Sequence, residues 1–356
     1  MTEVLETRVP GRRPVRAGPL SGVWRARPLL VLLGALVVLL AALVLDIGIG
    51  AYPISPGQVL ATLFGGGDRA DQVIVYTLRM PRALTGLLVG AALGLAGAIT
   101  QAVARNPLAS PDMLGITSGA GFAATAVIVF GSTFGAASAA GLPLVALLGG
   151  LLAGLAIYAL AYRGGVDSYR IVLVGVGITA LAGNATYWLL TVGDVNDAGR
   201  AMVWLTGSLN ARGWEHVVPT AIAMGVLLPL TLIGAHVLGA LGFDDDTVRG
   251  LGVRTDLSRG SLLLGSVVLA SIATAAAGPV QFVALAAPQI AMRLARAPRP
   301  PLVASLVCGA ALVVWADVLS RTAFGTLELP VGVVTAILGA PYLIYLLIRR
   351  YREDRA

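Results

Sequence analysis

An all-α polytopic membrane protein with about ten spanning helices is the fold class this sequence predicts, and three observations predict it. Of 356 residues, 57% are hydrophobic and only 12% charged, against about 25% charged in an ordinary soluble domain. Apolar runs close to the roughly 20 residues that cross a bilayer recur from Pro28 onward. Gly, Pro and charge fall between those runs, as they do in the loops of membrane proteins.

Taken in order, hydropathy with those boundaries gives spans near 29–50, 83–103, 112–132, 142–162, 170–192, 214–241, 260–277, 280–296, 301–320 and 330–348. The first run, Pro28 to Ala51, is interrupted only by Asp46. It exceeds the 7–15 apolar residues of a signal-peptide core and ends on no A-x-A-like site, so it reads as a retained span. The third span is broken by Gly115 and Gly119, and the seventh and eighth meet at Gly278-Pro279, where a re-entrant segment would change the count. The second carries Gly86, Gly90 and Gly94 at four-residue spacing, then Gly97, a flat face that another helix can approach closely. The division is a basic arm over 1–27, a membrane domain over 28–348 and a tail over 349–356.

All 25 basic residues are Arg. Placing both termini in the cytoplasm leaves 19 Arg inside and six outside, namely Arg69, Arg79, Arg82, Arg200, Arg212 and Arg321, the asymmetry that the positive-inside rule expects. The net charge of +7 then belongs to topology, and nucleic-acid binding is not expected. Without Lys there is no Walker A loop and no Schiff base, so any nucleotide-driven step needs a separate polypeptide. The single Cys308 excludes an intrachain disulfide, and His216 and His236 stand too far apart in sequence to suggest a metal site. No metal or other cofactor is expected on this chain.

Four segments put polar or helix-breaking residues where a simple bundle would not. Leu78 to Arg82 clamps two outside charges around Pro81; snorkelling is the plain alternative. Gln101 to Gly115 holds Asn106 and two prolines, a backbone that at membrane depth must be covered by protein or line a water-filled path. Phe243 to Ser258 is the most charged internal stretch; Asp244, Asp245 and Asp246 ahead of Thr247-Val248-Arg249 suit the positive N-terminus of a short helix, and Gly250 and Gly252 suit its end. A solvated loop would fit it, but a docking element for a cytoplasmic partner explains the compact, capped design better. Ala316 to Tyr342 carries Asp317, Arg321 and Glu328 around the last outside loop.

Together these segments resemble the permeases of the vitamin B12 and iron-siderophore ABC importer family (FecCD-type). The resemblance rests on Arg79-x-Pro81-Arg82, Arg-Asn-Pro-Leu-Ala at 105–109, Leu-Gly at 251–252, Phe-Val-Ala-Leu-Ala-Ala-Pro-Gln at 282–289, Glu-Leu-Pro-Val-Gly-Val-Val-Thr-Ala at 328–336 and Gly339-Ala340-Pro341. These lie in the family's order from about Asp46 to Arg350. The resemblance implies a membrane subunit with ten helices, working as a pair on two ATPases that hold ATP and Mg, and fed by an extracytoplasmic binding protein. It also assigns residues: receptor docking to Arg79, Arg82 and Arg321; a cytoplasmic gate to Asn106, Leu108, Asp167 and Ser168; ATPase coupling to Asp244, Asp245, Asp246, Val248, Arg249, Leu251 and Gly252. Asp167 departs from the small hydroxyl residues of the better-known pattern. Ala284-Leu285 and Pro288-Gln289 stand where many members have Gly-Leu and Pro-His, a variant similar to siderophore permeases that pair with a non-identical partner.

The expectation is therefore a cell-membrane (inner-membrane) permease subunit for a ferric siderophore, with vitamin B12 or haem as the alternative cargo. An ion-coupled secondary transporter would also use broken helices, but it should carry ionisable residues deep in its spans, and beyond Asp46 and Asp317 these spans carry almost none. An intramembrane enzyme lacks a catalytic set: there is no His pair, nucleophile elbow or zinc motif.

Overall fold

The computed structural model describes residues 13–17, 20–24, 26–134, 141–162, 168–241, 245–250, 252, 254–325 and 327–353. Eight of the described helices are long and apolar enough to cross a membrane, and two shorter apolar ones lie over Ile116–Gly131 and Val283–Ala295. All ten expected spans thus have a helical counterpart, and the two short ones start just after Gly115 and Gly278-Pro279, whereas Gly119, also expected to break the third span, lies within its helix.

Helix α1 covers Ala26–Gly48, preceded by a hairpin of β1 (Arg13–Ala17) and β2 (Leu20–Trp24) in the basic arm. A capping box of Ser55 and Gln58 starts the short α2, Pro56–Leu63. Helix α3, Arg69–Val73, passes through a π-helical turn at Ile74–Arg79 into α4, Met80–Ala104. The helix of the second span therefore starts at Arg69, fourteen residues before the expected 83. Then come α5 (Ile116–Phe134), α6 (Leu142–Ala161), α7 (Ser168–Val192), the short amphipathic α8 (Val195–Leu205), α9 (Trp214–Ile233) and α10 (Ala235–Ala240). The expected single span 214–241 is thus two helices, parted at Gly234. The order closes with α11 (Asp245–Gly250), α12 (Thr255–Ala277), α13 (Val283–Ala295), α14 (Leu302–Thr322) and α15 (Val331–Glu353).

Helix α4 is the hub, packing on α14, α12 and α13. Its glycine face is the cause. A Cβ at Gly90 or Gly94 would collide with the backbone of Gly309 or Ser305 in α14, and one at Gly97 with the Ala284 carbonyl of α13. Without side chains between them the helices meet backbone to backbone, where van der Waals contact, rather than a hydrophobic driving force, holds spans together.

At 13 residues, α13 is about 20 Å long and cannot cross the ~30 Å hydrocarbon core. The chain reaches it through irregular residues 278–282, with Gly278 at φ 77 and Phe282 at φ 64. Protein covers this break, as membrane depth demands. The Ser208 N–H donates to the Ala277 carbonyl at 2.8 Å, the Gly332 N–H donates to the Gly207 carbonyl at 3.0 Å, and Gly207 and Gly332 leave room for the Pro279 carbonyl.

Candidate functional site

Two candidate sites occupy opposite ends of α4. At its Arg79 end, α1, α4 and α14 bring charges together that lie far apart in sequence. Arg82 donates from Nε and Nη2 to both oxygens of Asp317, each at 2.9 Å, and from Nη1 to Glu328 at 3.4 Å. Arg321, one turn beyond Asp317 on α14, reaches Asp317 at 3.3 Å and also pairs with the Asp46 carboxylate. The same guanidinium donates to the Ile49 and Asp46 carbonyls, each at 2.9 Å. Arg79 clamps the end of α1, donating to the carbonyls of Ile47 at 2.8 Å, Gly48 at 3.0 Å and Tyr52.

Burial decides what these pairs do. The Asp46 and Asp317 side chains are 2% and 1% exposed, Arg321 7%, Arg82 15%, and Glu328 53%. A planar guanidinium fork matches a carboxylate at two points, so Arg82 and Arg321 balance two carboxylates that would otherwise be buried alone. Glu328 is the solvent-facing edge of the cluster. All three arginines expected to meet a receptor thus have partners inside the chain. Asp46 is the member that pattern reading left unassigned; its signal was a lone carboxylate in an apolar span.

At the other end, α4 stops with Arg105 at φ 49, whose side chain donates to the Leu241 carbonyl at 3.0 and 2.9 Å. Asn106 folds the turn by accepting from the Leu108 N–H at 3.0 Å, a local competition for backbone typical of Asn. Thr117 donates to Asp112 at 2.7 Å. Helix α7 presses on this turn: a Cβ at Gly175 would stand 3.0 Å from Leu114 Cα and the Met113 carbonyl. Ser168 is the first residue of α7, and Asp167 lies outside the described residues.

Inside the same end, neutral polar groups join α4 to α12 and α13. Gln289 donates to Gln101 at 2.6 Å, and Gln101 donates to the Leu285 carbonyl at 3.0 Å. The Thr100 and Ser266 hydroxyls lie 2.6 Å apart, and Ser266 donates to the Ala96 carbonyl at 2.9 Å. Both Gln side chains are buried. Both amides lie in segments that the sequence singled out; their pairing was not legible there.

Residues 37–349 match the FecCD transport family. The chain belongs to that family. Among relatives of this FecCD-family permease, the achromobactin transport system permease protein CbrC of Dickeya dadantii is 41% identical over 89% of this chain and 90% of its own length. The ferric enterobactin transport system permease protein FepG of Escherichia coli is 39% identical over 85% of this chain and 91% of its own. A solved inward-facing structure of a metal-chelate type ABC transporter superposes with a TM-score of 0.77 at 27% identity, covering 90% of this chain and 99% of that one.

The expected coupling stretch of this FecCD-family permease contains the short helix α11, whose first two residues are Asp245 and Asp246. Gly252 takes φ 78 just beyond it. Asp244 and Leu251 lie outside the described residues. Val248 is fully buried in the permease's own core, which makes it an anchor for α11 rather than an outward contact. Arg249 is within the helix.

Proposed function

We propose that this chain is one of two permease subunits of an ATP-driven importer that carries a ferric siderophore into the cytoplasm. The observation that carries this reading is similarity along nearly the whole chain, 39% to 41% identity, to permeases named for enterobactin and achromobactin transport. The second permease is a non-identical homologue, two ABC ATPases sit on the cytoplasmic side, and an extracytoplasmic binding protein delivers the chelate. Both termini are cytoplasmic, as the 19-to-6 arginine split supports. Asp46 and Asp317 each face an arginine, which leaves neither as a free carboxylate for ion coupling.

In this reading the Arg79 end meets the binding protein. Arg79 and Arg82 present the docking charges, and Arg321, nearly enclosed, sets their base by holding Asp46 and Asp317. At the other end, Asn106, Leu108, Asp167 and Ser168 close the pathway. The stretch of Asp244, Asp245, Asp246, Val248, Arg249, Leu251 and Gly252 couples it to the ATPase, with Val248 tying α11 to the bundle. Leu251→Asp should then abolish co-purification of the ATPase while membrane insertion stays intact, and unchanged co-purification with unchanged transport would remove the coupling assignment.

The cargo is tested by uptake of radiolabelled iron into vesicles holding the purified complex, offered as catecholate, carboxylate or hydroxamate chelates, with labelled vitamin B12 and haem alongside. ATP-dependent accumulation of at least one ferric chelate is expected. Accumulation of B12 or haem alone would overturn the siderophore reading, and uptake driven by an ion gradient without ATP would overturn the ABC reading.

A further inference from the structure

A cavity of about 680 Å³ opens between α6, α7 and α12 at the Asn106 end of the bundle. Its walls are apolar and include Leu114, Leu155, Tyr158, Ile171, Leu257 and Leu264. Three of these leucines are also open outward: Leu155 is 62% exposed, Leu257 67% and Leu264 61%. On α6 the exposed leucines run Leu144, Leu148, Leu152, Leu155, a stripe at helical spacing that marks the face turned to lipid. The cavity is the inward continuation of that face.

Its depth is set by what surrounds the mouth. Tyr158 and Tyr162 stack at 5.8 Å at the end of α6, and tyrosines of this kind sit at headgroup level. Arg254, exposed at the start of α12, lies one turn before Leu257, and Arg170 lies one residue before Ile171 on α7. An apolar cavity between spans, two of whose lining residues follow arginines within one helical turn, suits the chain of an acidic lipid.

We propose that this cavity holds an acyl chain of an anionic phospholipid of the cytoplasmic leaflet, with the headgroup phosphate beside Arg254. Leu114 belongs to the turn after α4, Ile171 to the start of α7 and Leu257 to the start of α12. The bound chain therefore wedges between the proposed gate and the helix leaving the proposed coupling segment. The leaflet assignment rests on the orientation given above.

The complete transporter in mild detergent, titrated with phosphatidylglycerol or phosphatidylcholine, tests this by native mass spectrometry. Wild type should retain one phosphatidylglycerol that Ser261→Trp, which fills the cavity wall, loses. Leu155→Trp at the mouth is a second filling variant should the first assemble poorly, and Leu148→Trp, on the same stripe but outside the cavity, should retain the lipid. Arg254→Gln should weaken phosphatidylglycerol retention roughly five-fold and leave phosphatidylcholine unchanged. Retention unaltered in both filling variants would overturn the site, and equal retention of the two lipids by wild type would overturn its anionic character. An impermeant thiol label on Arg254→Cys, in a Cys308→Ser background, reads orientation separately, so an error of topology is told apart from an error of lipid binding.

Discussion

At the Arg79 end of α4, two arginines meet carboxylates that are almost wholly enclosed, while at the Asn106 end the same helix meets its neighbours through amides and hydroxyls. The two chemistries differ in what happens when a contact opens. Removing one partner of a buried ion pair strands a charge, at about 3–5 kcal/mol. Parting a neutral hydrogen bond leaves an unmet polar group, at about 1–3 kcal/mol, and replacing both partners by apolar groups can be nearly neutral. A fixed rim suits the proposed landing of another protein, and the proposed gate is better joined by groups that separate at lower cost.

The sharpest break of this comparison is Arg321→Ala, which leaves Asp46 without its ion-pair partner and Asp317 with Arg82 alone. It should lower stability by about 3–5 kcal/mol in detergent unfolding, and adding Asp46→Asn should restore part of the loss. A cost under about 1 kcal/mol, as for an exposed pair, would show that the cluster is not a buried unit. Charge reversal at Arg321 would therefore report on folding before it reported on docking.

The corresponding change at the other end is Gln289→Leu, expected to cost about 1–3 kcal/mol by leaving the Gln101 amide oxygen unmet. The double change Gln101→Leu, Gln289→Leu should recover most of that cost, a non-additivity that a double-mutant cycle measures. Additive losses would mean that the two amides do not act as a pair.

The proposed docking is probed most cleanly at Arg79, which donates to three backbone carbonyls, so no buried carboxylate loses its main partner. Arg79→Gln should slow association with the binding protein roughly ten-fold at low salt, and the difference should fade as salt rises. A salt-independent effect would indicate that Arg79 acts only by shaping the loop after α1.

The smallest effect expected is a change in contact without a change in stability. Cysteines at Asn106 or Leu108, paired with one at the position of the partner permease that aligns with Ser168, in a Cys308→Ser background, should crosslink to an extent that depends on bound nucleotide. Equal crosslinking in every nucleotide state would argue that this turn is as fixed as the opposite rim.

The sequence by itself determined the membrane class, the number and approximate place of the spans, the glycine face of α4 and the family, because each is written in local pattern: hydropathy, four-residue spacing and short motifs. It also marked the breaks at Gly115 and Gly278-Pro279, since Gly and Pro act on their own backbone. Partner choice was decided only by the tertiary structure. Asp46 and Arg321 are 275 residues apart, Arg82 and Asp317 235, and Gln101 and Gln289 188. Whether a polar side chain faces solvent, a receptor or another span depends on which helix lies beside it; the glycine spacing of α4 marks a face that helices approach closely, but no local period encodes which helices these are.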